Sequence, residues 1–186
     1  MHRRHLLLGL LLGPWWLSGV LPRTARAQSA KLSTLTLTRG DGALLLDFAV
    51  RLDLSPAIED ALQRGVPLYF VATAALRRRR WYWRDRRIAR VQRSWRLAFQ
   101  PLTATWRVSL GALSQSFDSL PDALAAVSAS GGWPVAELAQ LEPDDDYVEF
   151  EYRLDTTQLP RPMQIALPGP SDWTLRVERE LKVPAS

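Results

Sequence analysis

The chain has 186 residues, a formal net charge of +5, 47% hydrophobic residues and no cysteine. Its only histidines, His2 and His5, stand at the extreme N-terminus. The rest of the chain therefore lacks the side chains needed for a cysteine nucleophile, a Ser-His catalytic triad, a zinc finger or a typical catalytic zinc site.

The chain opens with the pattern of a bacterial secretory signal peptide. A basic stub precedes an apolar run of 16 residues from Leu6 to Leu21, and Ala25-Arg26-Ala27 supplies the small residues that signal peptidase requires. The run is shorter than the roughly 20 residues that span a bilayer, so an uncleaved N-terminal anchor is the weaker alternative. We predict a signal peptide over residues 1–27 and a periplasmic location. Arg3-Arg4 partly matches a twin-arginine signal, which leaves the export route open.

Cleavage would leave 159 residues, enough for one domain with a substantial core. The removed segment carries four arginines and no acidic residue, so 20 basic residues face 19 acidic ones in the mature chain. That balance gives no support to a general polyanion-binding role. We predict a single domain over residues 28–186.

Alternation of apolar and polar side chains dominates the mature chain and predicts about eight strands. Leu32 to Thr38 and Ala43 to Leu52 flank Arg39-Gly40-Asp41-Gly42, which predicts an opening hairpin. Val66 to Arg80 follows as a long strand with one apolar face. Further strands are predicted at residues 88–99, 102–110 and 147–154, and a last one begins at Trp173.

Two short helices are predicted between the strands. The first has Ser55 as its N-cap, Pro56 in its first turn and Gly65 at its end. The second begins at Ser119 and ends at Gly131-Gly132. We therefore predict an antiparallel, immunoglobulin-like β-sandwich of about eight strands with two added helices.

Three of the six tryptophans of the mature chain are predicted to be core residues. Trp95, Trp106 and Trp173 fall on the apolar faces of predicted strands. Trp133 stands between glycine and proline, so its pattern leaves its burial open.

The most unusual segment runs from Arg77 to Arg96 and holds ten arginines and a single acidic residue, Asp85. Its net charge of +9 leaves about −8 for the rest of the mature chain. Trp81, Tyr82 and Trp83 interrupt it near the predicted end of a hairpin. Guanidinium groups bind oxyanions and aromatic rings settle at interfaces, so this segment is a candidate for partner or anion binding. The candidate residues are Arg78, Arg80, Trp81, Trp83, Arg84 and Arg86.

A purely structural interpretation of the arginines is also open. They would solvate the outer face of a strand, pair with Glu149, Glu151 or Glu178 on neighbouring strands, and stack on tryptophan rings. No nucleic acid partner is expected, because an exported protein seldom meets one.

The acidic segments favour neither a metal site nor catalysis. Asp144-Asp145-Asp146 offers oxygen ligands for Ca²⁺ but lacks the glycine and spacing of an EF-hand loop. Asp155-Thr156-Thr157 resembles the aspartic-protease turn but lacks its glycine and a second copy. We expect no catalytic residue, no cofactor and no metal. A glycan hydrolase that uses only carboxylates is the enzymatic alternative, and it would need an acid pair facing a cleft.

Several segments carry a resemblance to a known family. They are Gly65-Val-Pro-Leu-Tyr-Phe70, Arg80-Trp-Tyr-Trp83, Trp95-Arg-Leu97 with Pro101-Leu-Thr103, Ser116-Phe117 with Ser119-Leu120, and Arg153-Leu-Asp-Thr-Thr-Gln-Leu-Pro-Arg-Pro162 followed by Asp172-Trp-Thr-Leu175. This succession resembles the DUF4390 family of exported proteobacterial proteins over almost the whole mature chain, and the last segment is the most specific. The resemblance carries over no catalytic residue.

The resemblance also implies a setting. Genes of the family often lie beside a nitrogen-type sensor histidine kinase, which implies a partner in the cell envelope. We therefore expect a non-enzymatic binding or accessory module for an envelope protein such as that kinase. Contact with an anionic membrane surface is the alternative.

Overall fold

The computed structural model describes residues 29–82, 84–142, 144–159 and 173–184, so the predicted signal peptide and Trp83 lie outside the described residues. Nine strands and two α-helices are found in this part of the chain. In chain order they are β1 (Ser29–Gly40), β2 (Ala43–Asp53), α1 (Pro56–Gln63), β3 (Leu68–Arg78), β4 (Arg86–Gln100), β5 (Thr105–Leu110), β6 (Leu113–Phe117), α2 (Leu120–Ser128), β7 (Ala129–Glu137), β8 (Asp146–Leu154) and β9 (Arg176–Lys182).

The strands form two antiparallel sheets. The small sheet has the order β1-β2-β7 and the large sheet has the order β6-β5-β4-β3-β8-β9. The prediction of an antiparallel β-sandwich with two added helices is confirmed. Within this architecture β3 to β6 run as a meander in one sheet, whereas immunoglobulin domains divide such consecutive strands between both sheets.

An aromatic cluster joins the two sheets. Phe48 of β2 places its ring 6.1 Å from Trp95 and 6.2 Å from Trp133, measured between centroids. The same ring lies 4.9 Å from Phe150 and 6.0 Å from Tyr152 of the large sheet. Large buried side chains of this kind contribute much of the apolar area whose removal from water stabilises a sandwich.

The predicted burial of the tryptophans is confirmed. Trp95, Trp106 and Trp173 are all buried. Trp133, whose pattern left its burial open, is only 4% exposed.

The predicted capping and turn residues act as expected. The Ser55 hydroxyl accepts a hydrogen bond from the Ile58 amide at 3.3 Å, as an N-cap does. In the β1–β2 turn, Asp41 and Gly42 have φ angles of 53° and 73°. Two consecutive positive φ angles define the type I′ turn that suits a tight hairpin.

The structure corrects the prediction between residues 111 and 137. The second helix ends at Ser128, not at Gly131-Gly132, and the chain continues directly as β7. Neither β6 nor β7 was predicted. β7 tolerates Pro134 because it is an edge strand whose pairing with β2 is already irregular.

One predicted strand is shorter than expected. Residues 102–104 form a turn and β5 begins only at residue 105. Leu102, the first residue of the predicted strand, is 103% exposed, and Ala104 has a φ angle of 51°. A positive φ angle is typical of a turn and breaks the alternation that predicted burial.

Two neighbours support the β3–β4 hairpin unequally. β8 pairs with β3 as far as Arg78, which lies opposite Asp146. β5 pairs with β4 only from Trp95 to Gln100. Residues 86–94 of β4 thus have no strand partner on that side within the described ranges, which leaves an arginine-rich free edge. Separately, neither described helix is long and apolar enough to span a bilayer.

Candidate functional site

Residues 79–85, which we call the hairpin tip, join β3 to β4, and two of the side chains described there are exposed aromatic rings. Trp81 is 95% exposed and Tyr82 is 64% exposed. Their rings meet edge to face with centroids 5.1 Å apart. With Arg79, Arg80 and Asp85, the two rings line an open groove of about 520 Å³. Apolar surface and positive charge are thus combined at one end of the large sheet.

Asp85 fastens the hairpin tip to β8. Its carboxylate accepts a hydrogen bond from the Tyr147 hydroxyl at 2.6 Å and one from the Arg80 amide at 3.4 Å. The Arg79 amide donates to the Asp145 carbonyl at 2.9 Å, and the Arg79 guanidinium lies 5.2 Å from the centre of the Tyr147 ring. These contacts hold the tip from both strands of the hairpin.

The Tyr147–Asp85 bond is stable over a wide pH range. The hydrogen bond from Tyr147 lowers the pKa of Asp85, helped by the positive charges of Arg79 and Arg77. Burial, together with the bond to Asp85, raises the pKa of Tyr147 to about 12. The hydroxyl therefore remains a donor and the carboxylate an acceptor throughout the neutral range.

The side chain of Arg78 is held by acidic residues of the protein itself. Its Nε lies 2.8 Å from Asp146 Oδ1 and its Nη2 lies 3.2 Å from Asp146 Oδ2, the two-pronged geometry that guanidinium and carboxylate favour. The Asp146 side chain is fully buried and that of Arg78 is 18% exposed. Arg78 also bonds Glu142, and hydrogen bonding with Asp146 raises its pKa. This arginine anchors the end of β3.

The other predicted site residues are differently placed. Trp81, Arg84 and Arg86 are exposed and Arg80 is half-buried. Within the described ranges none of these three arginines forms an ion pair. Arg86 lies opposite Arg78 in the β3–β4 pairing. The structure thus gathers four of the six predicted residues around one exposed tip, separates Arg78 from them, and does not describe Trp83.

Part of the arginine segment follows the structural interpretation. Arg77 pairs with Glu149 on β8, as one of the predicted pairs. Glu151 pairs instead with Arg176 of β9 at 3.1 Å. Arg79 Nη2 lies 3.9 Å from Glu180, at the limit of an ion pair.

Stacking of arginine on tryptophan occurs between the sheets. Arg93 of β4 points into the sandwich, where its guanidinium lies 5.1 Å from the centre of the Trp133 ring and bonds Ser130 on β7. Burial lowers the pKa of Arg93. This contact explains how Trp133 is covered despite its glycine and proline neighbours.

The acidic segments serve structure in the part of the chain that is described. Asp146 is paired with Arg78 and also accepts a hydrogen bond from the Glu142 amide at 2.6 Å. Among the described residues no group of three or more His, Cys, Asp or Glu is arranged to hold a metal ion.

Asp155 is a buried carboxylate that directly follows β8. It accepts from Thr157 Oγ1 at 2.7 Å and from Gln158 Nε2 at 2.8 Å, and Arg153 Nη1 lies 3.1 Å away. Its own amide donates to the Tyr69 carbonyl at 2.7 Å. Burial alone would raise the pKa of Asp155, but these bonds together lower it to about 2.

Sequence reasoning missed Tyr147 and Asp146 as the residues that position the hairpin tip. Both partners lie more than 60 residues away from Asp85 and Arg78 along the chain. Their only sequence signal was the acidic run Asp144-Asp145-Asp146.

Comparison with known proteins gives a family. The model of DUF4390, described as a domain of unknown function, matches residues 27–181. No curated protein and no solved structure matches the chain. The family match covers most of the chain and agrees with the resemblance of its segments. The chain belongs to the DUF4390 family.

Proposed function

We propose that the protein is an exported, non-enzymatic binding module that contacts an acidic surface of an envelope protein through its hairpin tip. A membrane sensor kinase is the partner class suggested by the family setting. One observation carries the proposal: Trp81 is 95% exposed at the end of a hairpin that Asp85 and Tyr147 hold in place.

The composition of the tip supports protein binding. Tryptophan, tyrosine and arginine are the residues that most often dominate the binding energy of protein interfaces. A tip held in one conformation before binding loses less entropy when it binds. Arg84 and Arg86 have no carboxylate partner among the described residues, so an acidic partner would provide one.

An anionic membrane surface is the second candidate. Two adjacent exposed rings flanked by arginines also suit the boundary between lipid headgroups and acyl chains. Binding of this kind would weaken steeply with added salt, since the attraction between exposed charges is screened.

Catalysis by carboxylates finds less support. Glu149 and Glu151, which lie on one face of β8, are paired with Arg77 and Arg176. A glycosidase needs two carboxyl groups that face the substrate across a cleft, whereas these two are engaged by arginines.

The test uses the mature protein as bait for solubilised cell envelopes. The tip variant combines Trp81→Ala with Arg84→Glu. The matched control combines Leu102→Ala with Arg107→Glu, which removes an exposed apolar side chain and reverses one charge at the opposite end of the large sheet. A captured protein is then purified and its binding to all three forms is measured directly.

Loss of at least tenfold in affinity with the tip variant alone supports the proposal. Equal affinity for wild type and tip variant overturns it. If no protein rebinds, sedimentation with phosphatidylglycerol vesicles at low and high salt is decisive. If wild type and control bind the vesicles in a salt-sensitive way and the tip variant does not, the partner of the hairpin tip is the membrane and not a protein.

A further inference from the structure

A small recess lies on the outer face of the large sheet, away from the small sheet. Its volume is about 130 Å³. Thr73 and Ala75 of β3 form its floor, and arginines from β3 and β4 stand beside them: Arg77, Arg87 and Arg90. The floor residues are small and their neighbours are long, which is why a hollow exists there.

A β-bulge brings two of these arginines to the same face. In a regular strand Arg87 and Arg90, three positions apart, would point to opposite sides of the sheet. The pairing instead shifts between Leu76 and Arg77, so that Arg87 lies opposite Arg77 while Arg90 lies opposite Ala75. Ile88 is the extra residue of this bulge. Both guanidinium groups therefore flank the recess.

The charges around the recess are unevenly matched. Two glutamates of β8 also line it, but Glu149 is paired with Arg77 and Glu151 with Arg176. Within the described ranges Arg87 and Arg90 have no carboxylate partner, and the hydroxyl of the buried Thr73 has no hydrogen-bond partner. The recess thus offers two positive charges and one hydroxyl donor that the protein itself does not use.

We propose that this recess binds a phosphate group through Arg87 and Arg90, with Thr73 as a further donor. Guanidinium groups match phosphate oxygens in geometry and charge. At about 130 Å³ the recess is well above the space that one water needs, so a small anion such as phosphate fits. The site is distinct from the hairpin tip and does not depend on the function proposed for the tip.

The test is calorimetric titration of the mature protein with inorganic phosphate, with sodium chloride of equal ionic strength as the reference. The site variant is Arg87→Gln with Arg90→Gln. The matched control is Arg51→Gln with Arg107→Gln, which removes two exposed arginines outside both the recess and the hairpin tip. Thr73→Val probes the hydroxyl with little change in shape.

We expect phosphate binding by wild type and control, at least tenfold weaker binding by the site variant, and weakening of a few-fold by Thr73→Val. Equal binding by site variant and control overturns the proposal, as does the absence of any phosphate effect beyond that of chloride. Circular dichroism first establishes that every variant is folded.

Two sources of the phosphate are separated by a vesicle experiment. If the site variant loses binding to phosphatidylglycerol vesicles while Trp81→Ala retains it, the phosphate belongs to a lipid headgroup. If the site variant no longer binds inorganic phosphate but binds vesicles to the same extent as wild type, the ligand is a soluble phosphate.

Discussion

Tyr147 and Asp85 are 62 residues apart in sequence, yet the Tyr147 hydroxyl donates a 2.6 Å hydrogen bond to the Asp85 carboxylate. This bond ties the hairpin tip to β8, the strand on the other side of β3. The single acidic residue of the arginine segment therefore has a structural role. It holds the hairpin tip, which carries Trp81 and Tyr82, against β8.

Removal of the Tyr147 hydroxyl should loosen the hairpin tip and leave the sandwich intact. Tyr147→Phe deletes the bond to Asp85 but keeps the ring under Arg79. We expect faster hydrogen exchange of the Arg80 amide, with unchanged protection of core amides. Tyr82→Phe is the control, because its hydroxyl has no partner among the described residues. Equal exchange in both variants would show that the bond does not hold the tip.

Arg78 should be essential for stability. Replacing it with glutamine leaves the fully buried Asp146 carboxylate without its counter-charge, and such a loss costs about 3 kcal/mol. Urea unfolding of Arg78→Gln, Asp146→Asn and the double variant measures the effect. We expect the double variant to be less destabilised than the sum of the single ones. Arg84→Gln, at an exposed site, should be nearly neutral, and a similar loss there would contradict this assignment.

The Asp155 network should make stability depend on acid pH. Its folded pKa of about 2 lies below the usual 3.8, so the ionised carboxylate favours the folded state. This contribution, about 2 kcal/mol, is complete above the usual pKa and is lost as pH falls from about 4 to about 2. Asp155→Asn should lose it at neutral pH and show a flatter acid dependence in urea unfolding. Asp118→Asn, an exposed control, should follow wild type.

The Arg93–Trp133 contact should stabilise the packing between the sheets. Arg93→Met keeps the aliphatic stem but removes the charge above the ring and the bond to Ser130. We expect a loss of about 1 kcal/mol in urea unfolding. Arg96→Met, on the exposed face of the same strand, serves as the control. If both variants lose the same stability, the contact itself contributes nothing.

Alternation of side chains was enough to predict β3, β4 and β8, because each has one face buried against the small sheet. It failed for β7, where Gly131, Gly132 and Pro134 are residues that normally end a strand. An edge strand needs fewer backbone partners, so it can hold such residues. Local patterns report local burial and carry no information about which strand lies at an edge.

The candidate site was predictable only in part. The position of Trp81 at the end of a hairpin follows from the strands on either side of it. Which arginines form ion pairs cannot be predicted in this way, because the pairing depends on β8 lying beside β3. Only that adjacency brings Asp146 to Arg78 and Glu149 to Arg77. The charge of a segment therefore shows that counter-charges are needed but not which arginines receive them.

The bulge at Ile88 also marks a position where β4 can lose a residue without a change of register. Deletion of Ile88 would turn the bulge into a regular ladder, with Arg87 still opposite Arg77 and Arg90 still opposite Ala75. Deletion of a residue between Arg90 and Trp95 would instead shift every side chain on the hairpin side to the other face. A variant that lacks Ile88 would therefore keep the same arginines on the same face.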